Sequence, residues 1–206
     1  VDIDAHHCDG VEAALTGVSG VLLVSTHEER RWPFSGAIED NAEGVAFNIP
    51  LPKNTNDSEF NAVLENVILP AVENHRPQAI VLQCGADAVL EDPLSGLALS
   101  NNAHWRTVSA LKAMAPRLLV LGGGGYNPWT VGRLWTGVWA ILNEFPIPDI
   151  LPDTAQAVLK KLTWRRKALP NNRLLTTLTD VPRDGGVRTI IRDRIRALEQ
   201  RLKQEI

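Results

Sequence analysis

The sequence predicts an open, mainly parallel α/β sheet with helices on both faces. Two observations carry that reading. Short apolar runs bounded by glycine or polar residues alternate with longer stretches of helical periodicity, and acidic and imidazole side chains collect where the apolar runs end, the place where parallel sheets keep their sites.

In chain order, "VDID" at the start, "GVLLVS" (20–25), "AIVLQ" (79–83) and "RLLVLGGGG" (117–125) read as buried strands. Residues 26–46 read as a long polar loop, and long loops in compact domains tend to be functional. Between the strands, residues 57–75 place Phe60, Val63, Leu64, Val67, Ile68 and Val72 at helical spacing, with Asp57 or Ser58 as N-cap. Residues 101–114 and 127–145 repeat the helical arrangement. Strand and helix at this spacing form parallel crossover units. Residues 1–145 therefore read as one α/β unit, and 146–186 as a proline-rich wrapping tail or linker with a short helix near 154–162. Residues 187–206 read as an amphipathic helix whose stripe is Ile191, Ile195, Leu198, Leu202 and Ile206. That stripe suits either packing on its own domain or a homo-oligomer contact.

Composition narrows the function classes. The 206 residues, 44% of them hydrophobic, suffice for a sizeable core. A net charge of -3 gives no global field for nucleic acid or an anionic membrane, so neither is an expected partner. Cys8 and Cys84 form no disulfide framework, no apolar run has the length and flanks of a signal or a membrane span, and a cytoplasmic location is the default.

The chemistry begins at residue 2. Alternate side chains of an extended strand share a face, which puts Asp2, Asp4 and His6 on one side and Ile3 and Ala5 in packing. An Asp-x-His pair at a strand end offers two of the three ligands that a catalytic zinc commonly takes, although a plain hydrogen-bonded Asp and His would look the same. A third carboxylate, Asp87, follows the strand 79–83 after Cys84 and Gly85. The strand ending in Gly122–Gly125 then delivers Tyr126, the only tyrosine. Four glycines in a row imply positive φ or a close backbone approach.

"DIDAHHCDGVEAA", "LQCGADAVLEDPLSGL" and "LGGGGYNPWTVGRLW" resemble three signature blocks of the zinc-dependent histone deacetylase family, including its bacterial acetoin-utilisation and acetylpolyamine relatives. The resemblance spans about residues 1–145 and implies the arginase/deacetylase-like fold. Position by position, it implies that Asp4, His6 and Asp87 ligate Zn²⁺, with Fe²⁺ as the alternative metal, and that Tyr126 is catalytic. It implies that Asp2 and Asp9 are the acids that orient the family's two catalytic histidines. Asp2, Asp4, His6, Ser25 and Thr26 fall at its structural monovalent cation, K⁺, and Trp32, Leu94, Gly124 and Gly125 at its acyl-lysine tunnel. The implied reaction removes acetyl or acyl groups from lysine side chains or from small amines such as polyamines.

Departures from the family pattern accompany these matches. Cys8 stands where the family usually has glycine, and Phe34 and Ser35 replace a Gly-Thr pair. Nothing in the chain matches the family's His-His general base, so the resemblance implies an incomplete, weakly active or inactive fragment whose N-terminal part is missing. Two other readings compete. A binuclear manganese hydrolase of the arginase type needs further acids, which "Asp4-Ala5-His6-His7-Cys8" and "Asp87-Ala88-Val89" lack. A non-catalytic module that recognises acylated ligands would have less use for an intact Tyr126.

Overall fold

The computed structural model describes residues 1–164 and 170–204. Its sheet is parallel throughout. Strand β1 (Leu23–Glu28) pairs with β2 (Ala46–Leu51), and β3 (Ile80–Gln83) with β4 (Leu118–Leu121). The N-terminal segment joins the two pairs, because Asp2 bridges both Ser25 and Gln83. Its backbone is held on both sides: Asp2 N donates to Val24 O at 2.8 Å, and Ile3 N to Gln83 O at 3.1 Å. The sheet order is thus β2, β1, the segment around Asp2, β3 and β4.

The helices are α1 (Asp9–Leu15), α2 (Asp57–Val63), α3 (Leu69–His75), α4 (Asn101–Leu111), α5 (Pro128–Leu142), α6 (Asp153–Lys161), α7 (Arg173–Thr176) and α8 (Thr189–Gln204). Helices α2 and α3 are one rod joined through a π-helical turn at Leu64–Ile68. It starts with a capping box in which Asn56, and neither Asp57 nor Ser58, accepts from Glu59 N while the Glu59 side chain accepts from Asn56 N. Asp57 instead turns inward, accepting from Ser100 N and Oγ and from Arg183 N.

Several boundaries differ from the pattern-based expectation. The strand expected at 20–25 lies at Leu23–Glu28, so residues 26–28 belong to the sheet and the polar loop is shorter than 26–46. Strand β2 escapes alternation because Asn48 and Pro50 interrupt it; as an edge strand paired only with β1, it tolerates a proline. Helix α1 escapes periodicity because none of its residues is buried. Strands β1 and β2 are buried along their whole length. Over β3 and β4 one face is partly bare, with Val81, Leu119 and Leu121 each more than 40% exposed.

Within 146–186 the described residues, 146–164 and 170–186, fold back onto the domain. Asp180 receives the fully buried Arg133 side chain and Asn101 N, while Asn101 Oδ1 accepts from Asp180 N. Ile191, Ile195, Leu198 and Leu202 of α8 are buried in the main core, so the stripe that also suited an oligomer is spent on this chain; Ile206 lies outside the described residues. No described helix is long and apolar enough to cross a membrane. Removing one partner of a buried ion pair strands the other charge, so Asp180→Ala is expected to destabilise the fold by about 3–5 kcal/mol, read by chemical denaturation. Loss of less than about 1 kcal/mol would show that Arg133 finds another partner.

Candidate metal centre

Asp4 and His6 lie just past the carboxyl end of the Asp2 segment, Asp87 just past β3, and the four glycines just past β4. All three strand ends face one point. His6 Nδ1 stands 3.1 Å from Asp4 Oδ1 and 3.0 Å from Asp87 Oδ2. One ligand atom from each of Asp4, His6 and Asp87 lies within 4.8 Å of the others, and no other such group occurs among the described residues. A second ion's set of carboxylates, as an arginase-type centre needs, is therefore not among them.

The electrostatics call for a cation. Hydrogen bonds to Asp4 and then Asp87 raise the His6 imidazole to about 10, so without metal a proton sits between the two carboxylates. Burial opposes ionisation of Asp4, yet bonds from His6, Gln83 and the His6 and Gly124 backbones outweigh it and hold its carboxyl below the ordinary range. Burial pushes Asp87, fully enclosed, upward. One imidazole and two carboxylates are a donor set that zinc accepts.

The glycines are explained by close approach. A Cβ on Gly85 would overlap the Asp4 carboxylate, and one on Gly124 that of Asp87. Gly124 N also donates to Asp4 Oδ2 at 2.9 Å, as Gln83 Nε2 does at 3.0 Å. Of the four consecutive glycines only Gly125 has positive φ, at 133°. Gly124→Ala is accordingly expected to lower zinc affinity by more than tenfold in a chelator-competition titration, the lower bound for disturbing a ligand's support. Unchanged affinity would mean the loop yields without moving the carboxylates.

An open cleft of about 540 Å³ leads to this centre, lined by His6, Glu28, Arg30, Arg31, Trp32, Phe34, Leu94 and Tyr126. Trp32, Leu94 and Tyr126 thus stand together, while Gly124 lies against the Asp87 and Asp4 carboxylates and Gly125 against Val131 and Ala86. Asp2 lies behind the ligands, its Oδ1 accepting from Asp4 N at 3.0 Å, with Ser25 beside it in the sheet and Thr26 N donating to its carbonyl. Asp9 is exposed at the start of α1 and bonds its neighbour Gly10 N. Cys8 has φ -82°, a conformation open to any side chain, so replacing glycine there costs no backbone strain. His7 faces away from the triad toward Ser35 and Glu12.

The sequence reading passed over Gln83, Asp92 and the arginines of the cleft. Gln83 had a signal in its place, since it ends the strand that delivers Asp87. Asp92 had none, because its partners are backbone groups, Leu94 N nearby and Tyr126 N on another loop.

Fold and site together define a parallel α/β domain with a carboxylate–imidazole–carboxylate centre at the carboxyl ends of its strands. Residues 1–142 match the histone deacetylase domain family, and the chain belongs to that family. It is 38% identical over 159 residues to histone deacetylase 9 of Arabidopsis thaliana, covering 74% of this chain and 37% of that protein. With histone deacetylase 1 of Homo sapiens it shares 36% identity over 157 residues, covering 74% of this chain and 33% of that protein. The crystal structure of an HDAC homolog complexed with SAHA superposes with a TM-score of 0.88 at 35% identity, covering 96% of this chain and 56% of that one. An HDAC homolog from Aquifex aeolicus gives 0.85 at 33% identity. The chain spans about a third of the length of these curated relatives.

Proposed function

We propose that this chain carries the metal-binding and oxyanion-stabilising part of a deacetylase domain that hydrolyses the acetyl amide of a lysine side chain or of a small amine such as a polyamine. The observation that carries the reading is the Asp4–His6–Asp87 triad at the foot of a cleft shared by Trp32, Leu94 and Tyr126. When bound, Zn²⁺, or Fe²⁺ on the same nitrogen and oxygen donors, supplies Lewis-acid polarisation of the amide carbonyl and activation of water.

The chain's residues do the rest. Trp32 and Leu94 flank the apolar stem of the substrate and exclude water from it. Tyr126 donates a hydrogen bond to the carbonyl oxygen as negative charge develops there. Partial burial and the carboxylates of Asp87, Asp4 and Asp92 raise its phenol above the ordinary value, so it stays a donor. His6 is the only histidine lining the cleft; His7 is engaged with Ser35 and Glu12, His27 with Gly36 O and His104 with Gly85 O. A general base contributes roughly 10²–10⁴-fold, and the family's base is the His-His pair that has no match here, so this chain alone turns over slowly.

The Asp2 region suits a monovalent cation, K⁺. In support, burial pushes the Asp2 carboxyl up to about 7, as for a charge short of a counter-ion, and Ser25 and Thr26 lie against it. Two free cysteines fit a reducing cytoplasm. The test is acetate release from an acetyl-lysine peptide and from an acetylated polyamine by the zinc-loaded chain, with and without added imidazole as surrogate base. Release abolished by chelation and raised by imidazole is expected. Stoichiometric zinc binding with no metal-dependent release from either substrate would overturn the reading.

A further inference from the structure

We propose that Asp92 is a positioning residue that fixes Tyr126 against the Leu94 wall of the cleft. The proposal rests on the assignment of Tyr126 to the cleft chemistry. Asp92 is 5% exposed, and the bonds its carboxylate accepts come from two backbone groups: Leu94 N donates to Oδ1 at 2.9 Å and Tyr126 N to Oδ2 at 2.7 Å. One side chain thus grips two walls of the cleft that lie on different loops. A second tie joins the same loops, Asn127 Nδ2 donating to Glu91 O at 3.1 Å.

Tyr126 needs such a grip. Its side chain is 47% exposed, so packing does little to fix it, and it follows four glycines, the residues with the most backbone freedom. A carboxylate can accept from both N–H groups at once, whereas a carboxamide has one accepting oxygen and an NH₂ group that only donates. In Asp92→Asn one of the two backbone N–H groups therefore meets an NH₂ group, and the two loops lose one of their ties. The geometry of an oxyanion donor matters at this scale, since a displacement of about 1 Å can cost on the order of 10²-fold in rate.

Because Tyr126 is the only tyrosine, 3-fluorotyrosine labelling of the whole chain places a single ¹⁹F reporter at this position. One narrow signal is expected from the parent chain. Asp92→Asn should move and broaden it, while Asp149→Asn, at an exposed remote position, should leave it alone. A folded Asp92→Asn chain whose signal keeps its shift and width would overturn the proposal. Should that variant not fold, Asp92→Glu keeps both acceptors and the charge but displaces them by one methylene, and the same signal decides.

Turnover supplies a second readout. In steady-state kinetics, Asp92→Asn should lower kcat roughly 10–100-fold with KM nearly constant, and should add little to Tyr126→Phe. Additive losses would mean that Asp92 acts elsewhere. If Tyr126→Phe leaves turnover intact while the ¹⁹F signal still responds to Asp92→Asn, the functional reading fails and the brace stands.

Discussion

Replacing Asp87 by Asn is expected to remove most divalent-metal binding. Asp87 is fully buried, with Oδ1 accepting from Ala5 N at 2.9 Å and Oδ2 turned to His6 Nδ1 at 3.0 Å. An asparagine that keeps the bond from Ala5 must present its NH₂ group toward His6, where a donor cannot ligate a cation. The site also loses one of its two negative charges. Disturbing the support of a ligand costs roughly 10–100-fold in affinity, and removing the ligand should exceed that. Chelator-competition titration with Zn²⁺ measures the loss, and a melt of the metal-free variant separates it from unfolding. Unaltered affinity and stoichiometry in a folded Asp87→Asn chain would place the third ligand elsewhere.

Tyr126→Phe is expected to leave metal binding intact and to lower kcat roughly 10²–10³-fold, the usual cost of one oxyanion donor. The phenol sits on the cleft wall, outside the group of ligating atoms. In the proposed role its bond would strengthen only as the carbonyl becomes an oxyanion, so KM should change little. Steady-state kinetics, beside a zinc assay and a thermal melt, distinguish this from a structural tyrosine. A lowered melting point with normal kcat would refute the catalytic role. At 47% exposure the side chain has little packing to lose, which makes that outcome the less expected one.

The alternation of the first segment was legible because side-chain direction in a strand is local. Asp4 and His6 do meet, and His7 does face away toward Ser35. The same rule overreached at Asp2, which shares their side yet lies behind them, bonded to Asp4 N. Helix α1 and strand β2 left no trace, the first because it buries nothing and the second because Asn48 and Pro50 break its apolar run.

By itself the sequence determined what short-range periodicity and residue chemistry can encode: parallel strands ended by ligating side chains, helices between them, and a glycine run that signals crowding. Only the tertiary structure decided what does the crowding. The Asp4 and Asp87 carboxylates occupy the space where side chains on Gly85 and Gly124 would stand, Gln83 and Gly124 hold the far oxygen of Asp4, and Asp92 ties Leu94 to Tyr126. These contacts join residues from about 30 to 120 positions apart, or pair a side chain with backbone groups that every residue carries alike. Composition and spacing hold no mark of them, because they come into being only when the strand ends close on a common point.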